Sequence, residues 1–163
     1  MGNTDEPLVQ ALHDHPKFEP DETAFTLTSA TLQSSVTVDD GTLRVRVWIP
    51  TLRSVISGEP PSMVVEDAWF DALERRLLNG YDVTRSTAAT EAEVKRTDTE
   101  VVVTYAIESD TPMTAVDDAK ALIEYVVGTY VQGAIPGYDY EAPLGDLLRT
   151  AIDRGQNGAQ SSG

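Results

Sequence analysis

Apolar positions recur along this chain at two periods, and the switches between them mark its elements. Leu8, Ala11 and Leu12 fall at helical spacing behind Thr4-Asp5-Glu6-Pro7, a capping hydroxyl, two acids and a first-turn proline. Pro16 and Pro20 end that helix and bridge to an extended region. From Ala24 to Pro50 the period is two. Phe25 and Leu27 share one parity; Ala30, Leu32, Val36 and Val38 share the other. A parity change near Thr28–Ala30 requires a bulge, a bend or two separate strands. Asp39-Asp40-Gly41 is a hairpin turn, after which Leu43, Val45, Val47 and Ile49 alternate with Arg44, Arg46 and Trp48.

Gly58-Glu59-Pro60-Pro61 breaks the chain, and a helix follows to about Leu78. Trp69, Phe70, Leu73 and Leu77 line one side of it, with Asp71 and Arg75 placed to pair on the other. Asn79-Gly80 stops it. The pattern then recurs. Tyr81, Val83, Ala88, Ala92 and Val94 read as extended, Arg96-Thr97-Asp98-Thr99 as a turn, and Val101, Val103, Tyr105 and Ile107 alternate. Thr114 with Asp117 resembles a capping box for a helix to about Val131. The predicted fold is α+β, a mostly antiparallel four- or five-stranded sheet with helices on one face. Its order is α-ββ(β)-α-ββ-α-α, patterned as a ββα duplication. Residues 1–154 form a single domain in this reading. Its last helix, 144–153, offers Leu147, Leu148, Ala151 and Ile152 for docking, and 155–163 is a disordered tail.

Charge adds a setting. Twenty-seven Asp and Glu stand against twelve Lys and Arg, a net charge of −15, and only Lys17, Lys95 and Lys120 are lysines. Carboxylates so spread predict a protein suited to molar salt, where the Debye length falls to roughly 3 Å from ~10 Å at 0.1 M. With 40% hydrophobic residues, two Trp and six Tyr, the chain does not have the composition of a disordered acidic protein. No basic stripe is present to neutralise phosphates, so nucleic acid is not the expected partner. No apolar run is long enough to span a membrane and the start lacks a signal-peptide pattern, so a cytoplasmic location is expected. The absence of Cys excludes disulfides, thiolate metal sites and thiol nucleophiles.

Candidate chemistry is sparse. His13 and His15 lie two apart and point away from each other on a helix, so they do not form one ligand face. Acid pairs such as Asp39-Asp40, Asp117-Asp118 and Asp139 with Glu141 read as solvated surface. No nucleotide, phosphate, zinc or calcium motif is present, and neither an enzyme nor a cofactor is expected. Two sets of residues suit binding. Arg44, Arg46 and Trp48 share the outward face of one strand, and Arg and Trp are enriched at interaction hot spots. The Gly- and Tyr-rich stretch from Gly128 to Pro143 offers Gln132, Tyr138, Asp139 and Tyr140. Its alternative is a structural crossover that tucks its rings against the sheet.

The helix Glu66-Asp67-x-Trp69…Leu73-Glu74-Arg75-Arg76 and the segment Gly128-Thr129-Tyr130-Val131-Gln132-Gly133-x-Ile135-Pro136-Gly137-Tyr138 resemble a family of small acidic haloarchaeal proteins of unknown function. That resemblance implies a salt-loving origin and no mechanism. In element order the chain is also similar to type III secretion chaperones and YbjN-like proteins, which implies a dimeric fold that binds extended segments of partners. The function expected is a non-enzymatic protein-binding or adaptor module, chaperone-like, with a protein partner or a second copy in a homodimer. The alternative is a small-molecule or metal-dependent enzyme with its acids in a pocket.

Overall fold

A computed structural model describes residues 5–151. Helix α1 (Glu6–Asp14) leads into strands β1 (Phe18–Asp21), β2 (Ala24–Leu27), β3 (Gln33–Asp39) and β4 (Thr42–Pro50). A 3-10 turn (Leu52–Val55) and the short β5 (Ile56–Ser57) precede helix α2 (Met63–Leu78). A second 3-10 turn (Gly80–Val83), β6 (Thr87–Ala88), β7 (Glu93–Arg96), β8 (Glu100–Glu108), helix α3 (Pro112–Gln132) and β9 (Asp139–Tyr140) follow. A last helix, α4, occupies 144–151. The tail expected over 155–163 lies outside the described residues, as do Thr4 and Ile152.

The α+β class and the antiparallel sheet agree with the sequence pattern; the strand number is larger. The main sheet has seven strands, ordered β1-β2-β3-β4-β8-β6 with β7 also on β8, and its pairings are antiparallel. The additional strands are short. β1 lies in the stretch expected only to bridge from helix to strand, and Pro20 fits because β1 is an edge. The parity change after Leu27 is a true break: β2 ends there and β3 begins at Gln33. Asp40 (φ 55°) and Gly41 (φ 79°) make the two-residue β3–β4 turn. The Asp5 carboxylate accepts the Gly41 N–H at 2.7 Å, which ties this turn to the start of α1.

Strands β4 and β8 pair along their whole length, Leu43 opposite Ile107, Val45 opposite Tyr105, Val47 opposite Val103 and Ile49 opposite Val101. All eight are fully buried in one core with Leu8 and Leu12 of α1, Trp69, Leu73 and Leu77 of α2, and Leu122, Ile123 and Val126 of α3. The helices therefore cover the face that the alternation assigned to them. The order β3-β4-β8-β7, with α2 after β4 and α3 after β8, is the arrangement two ββα units would build.

Local expectations shift in three places. Tyr81–Val83 is a 3-10 turn, because the Tyr81 hydroxyl bonds to the Ala106 carbonyl (3.2 Å) and amide (2.9 Å) from outside the strand ladder. Helix α3 starts at Pro112 behind Thr111, ahead of the Thr114–Asp117 box, since proline is preorganised for a first turn. The Asp71–Arg75 ion pair does not form; the described salt bridge of α2 joins Asp67 to Arg96 of β7 at 3.0 Å.

Candidate functional site

The outer face of the sheet takes its side chains from alternate positions of the central strands. Across it, one row runs Gln33, Trp48, Val102 and Lys95; the next runs Ser35, Arg46, Thr104 and Glu93; a third holds Thr37, Arg44 and Ala106. Arg46 is exposed, whereas Arg44, Trp48, Val102 and Thr104 are half-buried and Ala106 is buried. Neither Arg44 nor Arg46 is ion-paired with a described carboxylate. Trp48 borders a shallow cavity of about 220 Å³ with Leu32, Gln33, Pro50, Glu100 and Pro143.

The Gly- and Tyr-rich stretch lies elsewhere. Its first five residues are the end of α3, with Gln132 exposed at the last position. Gly137 turns the backbone at φ 96°, and Asp139–Tyr140 pairs with Ile56–Ser57 in a two-stranded ribbon. The Tyr140 hydroxyl donates to the Ile135 carbonyl at 2.7 Å and accepts the Ile135 N–H at 3.0 Å. Burial pushes the Tyr140 hydroxyl up from its ordinary value, so it stays a donor well into the alkaline range. Tyr138 is half-buried with its ring centroid 6.5 Å from that of Tyr140, and Asp139 is exposed. The structure thus brings Arg44, Arg46 and Trp48 together, and Tyr138, Asp139 and Tyr140 together, in two separate places. Gln132 stands apart from both, above the contact of α3 with α2.

Two acids are buried, and of these Asp118 departs from the solvated-surface reading. Glu66 is only 3% exposed, and its carboxylate accepts the Arg53 N–H at 3.2 Å, which caps the 3-10 turn before β5. Desolvation raises its pKa, opposed by that bond and by the charges of Arg53 and Arg96. Asp118 is equally buried and accepts the Arg85 and Ser86 N–H groups at 3.1 and 2.7 Å, pinning the loop before β6 to α3. Both signals were present in the spacing. Glu66 heads the buried stripe Trp69, Leu73, Leu77, and Asp118 falls between Ala115 and Leu122 on the buried stripe of α3. His15 is mostly buried as the C-cap of α1, its Nδ1 accepting the Lys17 N–H at 3.1 Å and its Nε2 3.6 Å from Asp117. Among the described residues no group of three or more His, Asp or Glu is arranged to hold a metal ion. None of the described helices is long and apolar enough to cross a membrane.

A search of the curated proteins finds no match. Among solved structures, YbjN from E. coli is similar at 14% identity and a TM-score of 0.45, over 78% of this chain and 88% of that one. The model of a family of unknown function, DUF5813, matches residues 13–150, and the chain belongs to that family.

Proposed function

We propose that the chain is a non-enzymatic protein-binding module, of adaptor or chaperone-like type, that docks an acidic extended segment of another protein on the open sheet face. The observation that carries this reading is the pair Arg44 and Arg46 at the centre of the sheet, ion-paired with no described carboxylate in a chain of net charge −15. Two residues apart on a strand, their side chains leave the same face about 7 Å apart. In bulk water such charges repel by ~0.6 kcal/mol. Lys95 adds a third cation two strands away, beside Val102, and Trp48, next to Arg46 on its strand and in the row of Lys95, supplies a rigid amphipathic surface. A partner's carboxylates turn that repulsion into attraction.

The sheet's margins favour the face over the edge. Edge strand β1 is four residues long and carries Glu19, Pro20 and Asp21, which discourages strand addition. The opposite edge is interrupted, because β6 and β7 pair different parts of β8. Self-association across this face is disfavoured for another reason: a twofold contact centred here would set the arginines of one copy against those of the other.

Fluorescence anisotropy with a labelled peptide of alternating Glu and apolar residues tests the reading, beside its Lys counterpart and a single-stranded RNA oligomer. Saturable binding of the acidic peptide, weakened at least tenfold in Arg44→Glu/Arg46→Glu with an unchanged circular dichroism spectrum, supports it. Preference for RNA, a dimer that the same variants dissociate, or no peptide binding would overturn it.

A further inference from the structure

The two segments singled out in the sequence, around Trp69 and around Gln132, meet at one groove. Helices α2 and α3 run antiparallel there: the Tyr125 hydroxyl donates to the Arg76 carbonyl at 2.7 Å, while Gly133 lies beside Trp69. Ala68 and Ala72, small exposed residues on α2, leave open beside them a cavity of about 400 Å³. Its floor is Val65, Trp69, Leu73 and Ile135; Arg76 and Gln132 supply its polar groups.

We infer that this groove binds a small aliphatic carboxylate, with the chain along the Trp69 side and the carboxylate on Arg76. Three observations carry the assignment. The volume falls in the range of small-molecule sites, which are apolar with a few placed polar groups. From Val65 to Arg76 the helix advances ~16 Å, room for a medium-length chain laid along it. Arg76 is not ion-paired with any described carboxylate although acids outnumber bases more than two to one, so its guanidinium is available for bidentate recognition. The Trp69 Nε1–H beside the site is buried without a hydrogen-bond partner among the described residues. This site is independent of the open sheet face, which lies on the other side of the sheet from the helices.

Isothermal titration calorimetry with decanoate, and with decanol as the uncharged control, tests the inference. Trp69 fluorescence in a Trp48→Phe background locates the ligand. Expected are saturable binding of decanoate with a change in Trp69 emission, weaker binding of decanol, and a ten- to hundredfold loss in Arg76→Gln, the range of a charge-assisted bond. Ala72→Phe, at an exposed position, should fill the groove and abolish binding while the melting temperature holds. No saturable binding below the micelle concentration, equal affinity in Arg76→Gln, or undiminished binding in Ala72→Phe would each overturn it. Capture of a peptide that Ala72→Phe blocks, without decanoate binding, would overturn the ligand class as well.

Discussion

Replacing Tyr140 by Phe separates a structural crossover from a recognition loop. The Tyr140 hydroxyl holds both the N–H and the carbonyl of Ile135, and so closes the turn that carries Pro136 and Gly137. Phe keeps the ring and deletes both bonds. Each is worth a net ~0.5–1.5 kcal/mol, and because Ile135 is half-buried, water recovers part of the loss. The expected cost is about 1–1.5 kcal/mol. Ala also removes a half-buried ring, which costs less than the ~3–5 kcal/mol of a fully buried aromatic and brings the total to about 3 kcal/mol. Tyr138, whose hydroxyl makes no hydrogen bond to the described residues, should cost under about 1 kcal/mol as Ala. Urea unfolding followed by far-ultraviolet circular dichroism measures all three, provided the denaturant slope is constant. A Phe variant within ~0.3 kcal/mol of wild type, or a Tyr138→Ala variant as unstable as Tyr140→Ala, would refute the assignment of Tyr140 as the staple.

Gly80→Ala should destabilise by about 1–3 kcal/mol, since its Cβ would stand 2.6 Å from the buried Tyr105 hydroxyl that donates to the Leu77 carbonyl; thermal unfolding checks this, and Tyr105→Phe should leave the cost in place because the ring's Cε1 and Cζ would stand at 2.7 Å. Glu66 is held above its ordinary pKa of 4.5, so the folded chain binds that proton more tightly than the unfolded chain. Its contribution is greatest below that value and is lost as pH rises through the folded pKa; Glu66→Gln should flatten that part of the stability–pH curve, and an unchanged slope refutes the argument. With a net charge of −15, the melting temperature should rise from ~0.1 M to ~2 M NaCl as screening removes self-repulsion and apolar burial strengthens; a flat or falling trend refutes the charge argument.

The central hairpin and its long partner strand were legible in the sequence because one buried face imposes alternation along β4 from Leu43 onward and along β8 as far as Tyr105. The short strands were not. β6 and β9 have two residues each, too few for a period, and they form because β8 and β5 offer them free ladder groups. Buried acids hid in the composition: with twenty-seven carboxylates, Glu66 and Asp118 stand out only by their place on an apolar stripe. Arg44, Arg46 and Trp48 were legible as one face, since alternation alone puts them there. That Tyr140 would spend its hydroxyl on Ile135 depends on a turn whose geometry no spacing encodes.

The stretch from Gln132 to Pro143 links the two proposed surfaces through its packing. At one end Gln132, Gly133 and Ile135 line the groove between α2 and α3; at the other, Pro143 borders the cavity beside Trp48. Between them the backbone is fixed twice, by the Tyr140 bonds to Ile135 and by pairing with β5, where the Glu141 N–H also reaches the Val55 carbonyl at 2.7 Å. The Ser57 hydroxyl adds a bond to the Glu141 carboxylate at 3.1 Å. A segment held at so many points is preorganised, because each rearrangement would break bonds that hold it. The same fixing suits a strut that keeps Ile135 in the groove and Pro143 at the cavity that Trp48 borders. Glycine turns the chain sharply here, and tyrosine supplies a ring long enough to carry a hydroxyl back across the turn it closes.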